Sequence, residues 1–234
     1  MRFHILFLVP LVLIPQTIQA QRYLNPVFEE VEVQQNIVYG VNATANEVWV
    51  NGELVPDTLE LDFYEPAGDI NTNRPLVLVL HGGFFLPPVT NGTTLGTHRD
   101  SSVVETCRRL AKYGYTSAAI NYRLGWNPLA AMPTDRATGL IQAVYRVMQD
   151  GRTAVRFFKQ QAVEADNPWG IDTSRIPVWG NKISSMATLS MATVQAYDQL
   201  LQTQYPPAKF ILDTDGDGIP DQPMVLEELF GDPE

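Results

Sequence analysis

Cysteine and histidine are nearly absent from this chain: among 234 residues there is one of the first and three of the second. The lone Cys107 excludes an intrachain disulfide framework. It falls on the apolar face of a helix pattern, where a small core filler is the default reading, and no histidine is placed beside it to make a catalytic thiol. Basic residues are scarce too, 16 against 26 acidic, for a formal charge of −10. An acidic surface argues for solubility and against nucleic acid or anionic lipid as partners. Long hydrophobic runs are also lacking. The longest, Phe3 to Ile14, is interrupted by Pro10 and is too short for a comfortable membrane span.

What that run does fit is a secretory signal. Arg2 precedes it, polar Gln16 to Gln19 follow, and small Ala20 marks a cleavage point before Gln21. The expectation is export to the periplasm, cell surface or medium, with residues 1–20 removed and no membrane span left. Removal leaves 15 basic residues against 26 acidic, a charge of −11.

The rest divides into an entry segment, 21–57, a core, 58–205, and an acidic tail, 206–234. In the entry segment Ile37–Tyr39 and Glu47–Val50 read as short strands, and Asn51-Gly52 as a hairpin turn. Leu59 to Tyr64 alternates apolar with polar, as a half-exposed strand near a sheet edge does. Leu76 to Leu80 is apolar throughout, as a strand covered on both faces requires. Ser101–Lys112 reads as a helix with Val104, Cys107, Leu110 and Ala111 inward, ended by Gly114. Tyr115–Tyr122 is the next strand. A long helix from about Ala137 to Ala162 follows, with Met148, Gly151, Val155 and Phe158 on one face and Arg146, Arg152 and Lys159 on the other. Such alternation predicts an α/β domain, its sheet mostly parallel with helices on both faces.

Two stretches at strand ends bear on function. His81-Gly82-Gly83 directly follows the buried strand, where two glycines let backbone N–H groups turn toward a ligand atom. Downstream, Ile176–Trp179 reads as a short buried strand, Gly180 opens a tight turn, and a helix follows with Met186, Leu189 and Thr193 on one face. That is the layout of a nucleophile elbow, Gly-x-Ser-x-Gly. Counted from Gly180, however, the serine position holds Lys182 and the closing glycine position holds Ser184.

With Leu59-Glu60-Leu61-Asp62-Phe63-Tyr64-Glu65-Pro66, Arg74 to Gly83, Asn121-Tyr122-Arg123-Leu124 and Gly170 to Gly180, the chain resembles the carboxylesterase branch of the α/β-hydrolase superfamily, over about residues 58 to 200. The resemblance implies an α/β-hydrolase fold, here left incomplete at its C-terminal end. It further implies an oxyanion hole of backbone N–H groups at Gly82, Gly83 and Ile183, and a triad in the order Ser, Asp or Glu, His. Lysine has no hydroxyl, and an acylated amine would be a stable amide that does not turn over. No histidine follows His98, which lies in a polar loop and is expected to be exposed; His81 belongs to the oxyanion turn. Asp213 stands where the acid would come but has no imidazole partner. The implied function is therefore an exported, carboxylic-ester-hydrolase-like protein without ordinary serine-esterase turnover, its ligand an ester or acylated polysaccharide, its core needing no cofactor. An active esterase with an unconventional or in-trans base is the alternative.

The tail carries a separate pattern, Asp213-Thr214-Asp215-Gly216-Asp217-Gly218-Ile219-Pro220-Asp221. Alternating carboxylates with glycine at the sixth place suit a calcium ion, with Asp213, Asp215, Asp217, Asp221 and the Ile219 carbonyl as ligands. The segment resembles thrombospondin type 3 calcium loops; an EF-hand would need glutamate where Met224 stands. A third reading is accordingly a calcium-dependent surface or adhesion module.

Overall fold

The computed structural model describes residues 21–43, 56–87, 91–92, 95–194, 211–212 and 222–223. Its sheet is laid around the apolar run anticipated above: β3, Arg74–Leu80, is buried at every residue. Before it come β1, Val31–Ala43, and β2, Pro56–Pro66, paired antiparallel. After it come helix α1, Ser101–Lys112, strand β4, Thr116–Ile120, and the long helix α2, Pro133–Glu164. Short strands β5, Ile171–Asp172, and β6, Val178–Gly180, lead into helix α3, Ser184–Thr193. Two further strands, β7, Ile211–Leu212, and β8, Gln222–Pro223, pair antiparallel with each other.

In the main sheet the order is β1-β2-β4-β3, with β5 and β6 both on the far side of β3. β4 and β6 run parallel to β3, whereas β2 is antiparallel to β4. The sheet is thus mixed, a parallel half joined to an antiparallel pair, rather than mostly parallel throughout. β2 lies one strand in from the edge formed by β1, and its polar Asp62 is fully buried. What allows this is compensation: the carboxylate accepts from Asn36 N–H at 3.0 Å and from Arg99 Nε at 2.9 Å.

Alternation along the strands builds two cores. Leu59, Leu61, Phe63, Leu76, Leu78, Leu80 and Ile120 point to one face and meet Ala143, Val147, Ala154 and Phe158 of α2 and Ala187 of α3. Tyr64, Val77, Val79 and Ala119 point to the other and meet Val103, Cys107 and Ala111 of α1. Burial pushes the Cys107 thiol up to about 12, as befits a core filler. α1 has the predicted bounds, and Gly114 follows its C-cap Tyr113 at φ 92°. No helix among the described residues is long and apolar enough to cross a membrane.

Three expectations about facing are corrected. Arg146 is 8% exposed, because α2 is buried on all sides from Tyr145 to Gly151. β6 is not a doubly covered strand: it is the outer strand of the described sheet at that end, and Trp179 is 53% exposed. In α3 the small residues Ser184 and Ala187 are buried while Met186 and Leu189 are exposed. The reason is close approach, since a Cβ on Gly180 would lie 2.6 Å from Ser185 Cα. Glu47–Val50 and Asn51-Gly52 lie outside the described residues, as do residues 1–20.

The topology also fixes where a site can form. From β3 the chain crosses one face through α1, and from the neighbouring β6 it enters α3 on the opposite face. Adjacent parallel strands whose connections part in this way leave a crevice beyond their carboxyl ends. The residues at those two ends are His81-Gly82-Gly83 and Asn181-Lys182.

Candidate functional site

At the end of β3 the chain turns through Gly83 at φ 101°, Phe84 at φ 57° and Phe85 at φ 58°. Two left-handed phenylalanines in succession are strained, and their surroundings hold them there. Phe85 is fully buried, and its carbonyl accepts from Gly125 N–H at 2.9 Å and Trp126 N–H at 3.0 Å. Gly83 is required on two counts: its positive φ, and a Cβ that would come within 2.5 Å of Gly96 Cα. Gly96 belongs to a loop gathered by Asp100, whose carboxylate accepts from Gly96 N–H at 2.9 Å and Thr97 N–H at 3.1 Å.

His81 forms the floor of this turn. Its ring stacks on Tyr122 with centroids 4.1 Å apart and 6° between planes. Nδ1 lies 2.7 Å from Gly82 O, so the proton belongs on Nδ1, and Tyr122 donates its hydroxyl to His81 O at 2.6 Å. Burial pulls the imidazole down to about 4, which keeps it neutral. A buried, stacked ring bonded to its own turn braces the loop, as the sequence implies.

The bend after β6 lies alongside. Gly180 pairs with Leu80, and Asn181 N–H donates to Leu80 O at 3.2 Å, tying the end of β6 to the end of β3. Lys182 then takes φ 57°, the left-handed conformation of a sharp strand-to-helix bend. Ile183 is already α-helical at φ −64°, and α3 begins. So the lysine stands at the apex of the bend, and its side chain runs beside the Gly82-Gly83 turn. A Cβ placed on Gly82 would lie 3.8 Å from Lys182 Cδ and 3.6 Å from Asn181 O.

Neither nearby serine can take the apex role. The Ser184 hydroxyl is fully buried, donates to Asn181 O at 2.8 Å and accepts from Asn181 N–H at 2.7 Å. It fastens the first turn of α3 under the bend. Ser185 donates to Lys182 O at 2.5 Å, one turn back along the same helix start. Both hydroxyls satisfy backbone carbonyls of the bend itself.

The N–H groups of Gly82, Gly83 and Ile183 find no acceptor among the described residues. Gly82 and Gly83 follow β3, and Ile183 follows the neighbouring β6, at the same end of the sheet. His98, by contrast, is not exposed as expected. It is 7% exposed, with Nε2 3.7 Å from Asp62 Oδ2, too far for a hydrogen bond. Burial lowers its pKa, opposed by Asp62. Burial also disfavours the Asp62 carboxylate, but bonds from Arg99 and Asn36 outweigh that and hold it below its usual range. His98 lies buried beside these groups.

Sequence reasoning missed the support behind the site. Arg123 and Asp150, both fully buried, form a fork: Nη2 to Oδ1 at 2.7 Å, Nε to Oδ1 at 3.0 Å, and Arg123 N–H to Oδ2 at 2.8 Å. This clamp fixes the segment after β4 that carries Tyr122 beneath His81. The available signal was an arginine within Asn121-Tyr122-Arg123-Leu124 and an aspartate in the middle of a buried helix turn. The proposed calcium ligands Asp213, Asp215, Asp217, Ile219 and Asp221 lie outside the described residues. Among the described residues no group of three His, Cys, Asp or Glu side chains is placed to hold a metal ion.

No protein-family model matches the chain, and no curated protein does. Solved structures that align with it include a bacterial heroin esterase at 20% identity, over 74% of this chain and 42% of that one, with a TM-score of 0.39. Esterase B from Lactobacillus rhamnosis aligns at 20% identity over 77% of this chain and 45% of that one, with a TM-score of 0.43. Native esterase 2 from the planctomycete Thermogutta terrifontis aligns at 20% identity over 74% and 47%, with a TM-score of 0.41. The chain spans less than half the length of each.

Proposed function

We propose that this chain is an exported relative of carboxylic-ester hydrolases, built on the α/β-hydrolase plan, whose elbow no longer carries out serine-esterase turnover. The observation behind this reading is Lys182 at the left-handed apex, beside backbone N–H groups of Gly82, Gly83 and Ile183 that donate to no described residue. Those N–H groups would suit an oxyanion, whereas the side chain at the apex has no group that could attack an ester carbon and turn over. Lysine offers no hydroxyl, and the serine nearest the helix start has its oxygen bonded to Asn181 on both the donor and acceptor side. The two described histidines are buried in other tasks, one stacked on Tyr122 and one set against Asp62. A general base for a hydroxyl at the apex is therefore lacking among the described residues.

The test is direct. The mature protein is incubated with p-nitrophenyl acetate and with a feruloyl ester, and separately with a fluorophosphonate probe. No turnover above buffer and no labelling are expected. Turnover lost in Ser184→Ala or Ser185→Ala, or labelling of either serine, would refute the reading in favour of an active esterase with an unconventional base.

A calcium-dependent role for residues 213–221 is a second reading. It is supported by the pairing of Ile211 with Pro223 and Leu212 with Gln222, the residues that flank that segment. Calorimetry with calcium chloride should show uptake that Asp215→Ala plus Asp217→Ala abolishes.

A further inference from the structure

We propose that an aromatic hollow on the α1 face of the sheet, separate from the bend at Lys182, binds a neutral pyranose unit of a polysaccharide chain by stacking it on Trp179. The hollow is a cavity of about 380 Å3, walled by Trp179 of β6, by Arg109 and Leu110 of α1, and by Tyr23, Tyr113 and Tyr115. That volume falls within the range of about 300–1,000 Å3 typical of ligand sites. Trp179 reaches this face because its partner across the parallel ladder is Val79, which packs against α1. Its ring is half open to solvent, so a ligand can reach it. The opposite wall is preformed. Tyr23 N–H donates to Tyr113 O at 2.8 Å, and the N–H groups of Val27 and Phe28 donate to Lys112 O at 2.9 and 3.1 Å, which fastens the segment before β1 to the end of α1. The Tyr23 and Tyr115 rings meet with centroids 4.7 Å apart, and Arg22, paired with Asp69 at 3.0 Å, places its guanidinium carbon 5.3 Å from the Tyr23 centroid.

Four aromatic side chains around one hollow set the chemistry of its occupant. Tyrosine and tryptophan each offer an apolar ring with a polar tip, and with two χ angles apiece they lose little conformational freedom when a ligand settles on them. Thr106 also lines the cavity; its hydroxyl donates to Ser102 O at 2.7 Å and keeps its lone pairs as acceptors. A pyranose matches both kinds of surface at once: its C–H bonds form an apolar face for the rings, and the hydroxyls at its edge exchange hydrogen bonds with phenol, indole and guanidinium groups. A plain aryl ligand would use the ring faces and leave those polar tips to water. Charge decides between neutral and acidic sugars. The adjoining hollow, which shares Arg109, is lined by Glu29, Glu30 and Glu105 against Arg108, Arg109 and Lys112, three carboxylates facing three cations. Such a balance favours a neutral ring over a charged one.

Cellohexaose and xylohexaose are titrated into the mature protein by calorimetry. Saturable uptake of at least one is expected, with the same affinity in about 0.05 M and about 0.5 M sodium chloride, since no ion pair is made. Trp179→Ala should weaken that sugar by about tenfold or more at an unchanged urea midpoint, while Trp179→Tyr stays within about threefold. In the unaltered protein the Trp179 indole N–H resonance, identified by its loss in Trp179→Tyr, should move as the sugar is added. The proposal is overturned if neither sugar binds, if Trp179→Ala binds as tightly, or if that resonance stays still. Self-association that Trp179→Ala abolishes, without sugar uptake, would also overturn it and make this face a contact between copies of the chain. The hollow and the bend share no residue, so ester turnover in the companion assay would refute the non-hydrolytic reading and leave this result to stand by itself.

Discussion

Asp150→Ala tests the support behind the site and has a magnitude that can be worked out. Asp150 is fully buried and accepts three kinds of donor from one residue, the N–H, Nε and Nη2 of Arg123, at 2.7 to 3.0 Å. It also offsets a second guanidinium, Arg146, which burial first and then Arg123 pull down to about 10. Removing the carboxylate leaves two buried guanidinium groups facing each other without an anion between them. Breaking a buried pair from one side typically destabilises by about 3–5 kcal/mol. For a chain of this size each kcal/mol is worth roughly 2–4 °C, so a fall in melting temperature of about 6–20 °C is expected. Urea unfolding followed by tryptophan fluorescence gives the free energy, and a double-mutant cycle with Arg123→Met isolates the pair. The double variant should recover part of the loss, because the unpaired charge of Arg123 is gone and Arg146 is relieved of that like-charged neighbour. A loss below about 1 kcal/mol in Asp150→Ala would refute the clamp, since that is the range of exposed ion pairs.

The remaining predictions concern pH and the elbow. His81 is held at about 4 when folded, against 6.5 when unfolded, so the unfolded chain takes up a proton first as pH falls. Its contribution is fully present above about pH 6.5 and is lost on the way down to about 4, amounting to roughly 2 kcal/mol by pH 5. Unfolding free energies at pH 7.5 and 5 measure this, and His81→Asn should flatten the slope; an unchanged slope would contradict a buried neutral imidazole. Gly180→Ala places a Cβ 2.5 Å from Thr188 Oγ1 and 2.6 Å from Ser185 Cα, and should cost about 1–3 kcal/mol. Because the second clash is with backbone, adding Thr188→Ala should not restore the urea midpoint; full restoration would show that only the side chain matters.

Much of the frame was legible from residue pattern. β3 announces itself by five apolar residues in a row, α1 by apolar positions spaced three and four apart, and the elbow by Gly180 between a strand and a helix. The lysine at the bend could be named because Gly180 and the strand and helix on either side of it place the turn, whatever the side chains are. Facing was harder to read. Met186 and Leu189 form an apolar stripe, yet α3 packs with its small side because Gly180 lets the two backbones approach closely, leaving no room for a Cβ beside Ser185 and Thr188. Arg146 and His98 read as surface groups because charge is normally solvated, and nothing local in the sequence reveals that Asp150 or Asp62 will be buried beside them. The left-handed Phe84 and Phe85 carry no sequence signal at all: their conformation is imposed by the packing of Phe85 and by contacts from Gly125 and Trp126, forty residues away.

The bend at Lys182 is secured entirely by its neighbours, through the missing Cβ of Gly180 and the buried hydroxyl of Ser184. Selection for folding therefore acts on the tip chiefly through its left-handed backbone, which β-branched side chains disfavour. Chemistry at that point can be exchanged in one step while the scaffold goes on being made, which gives evolution, or an engineer, a socket into which new reactivity can be placed.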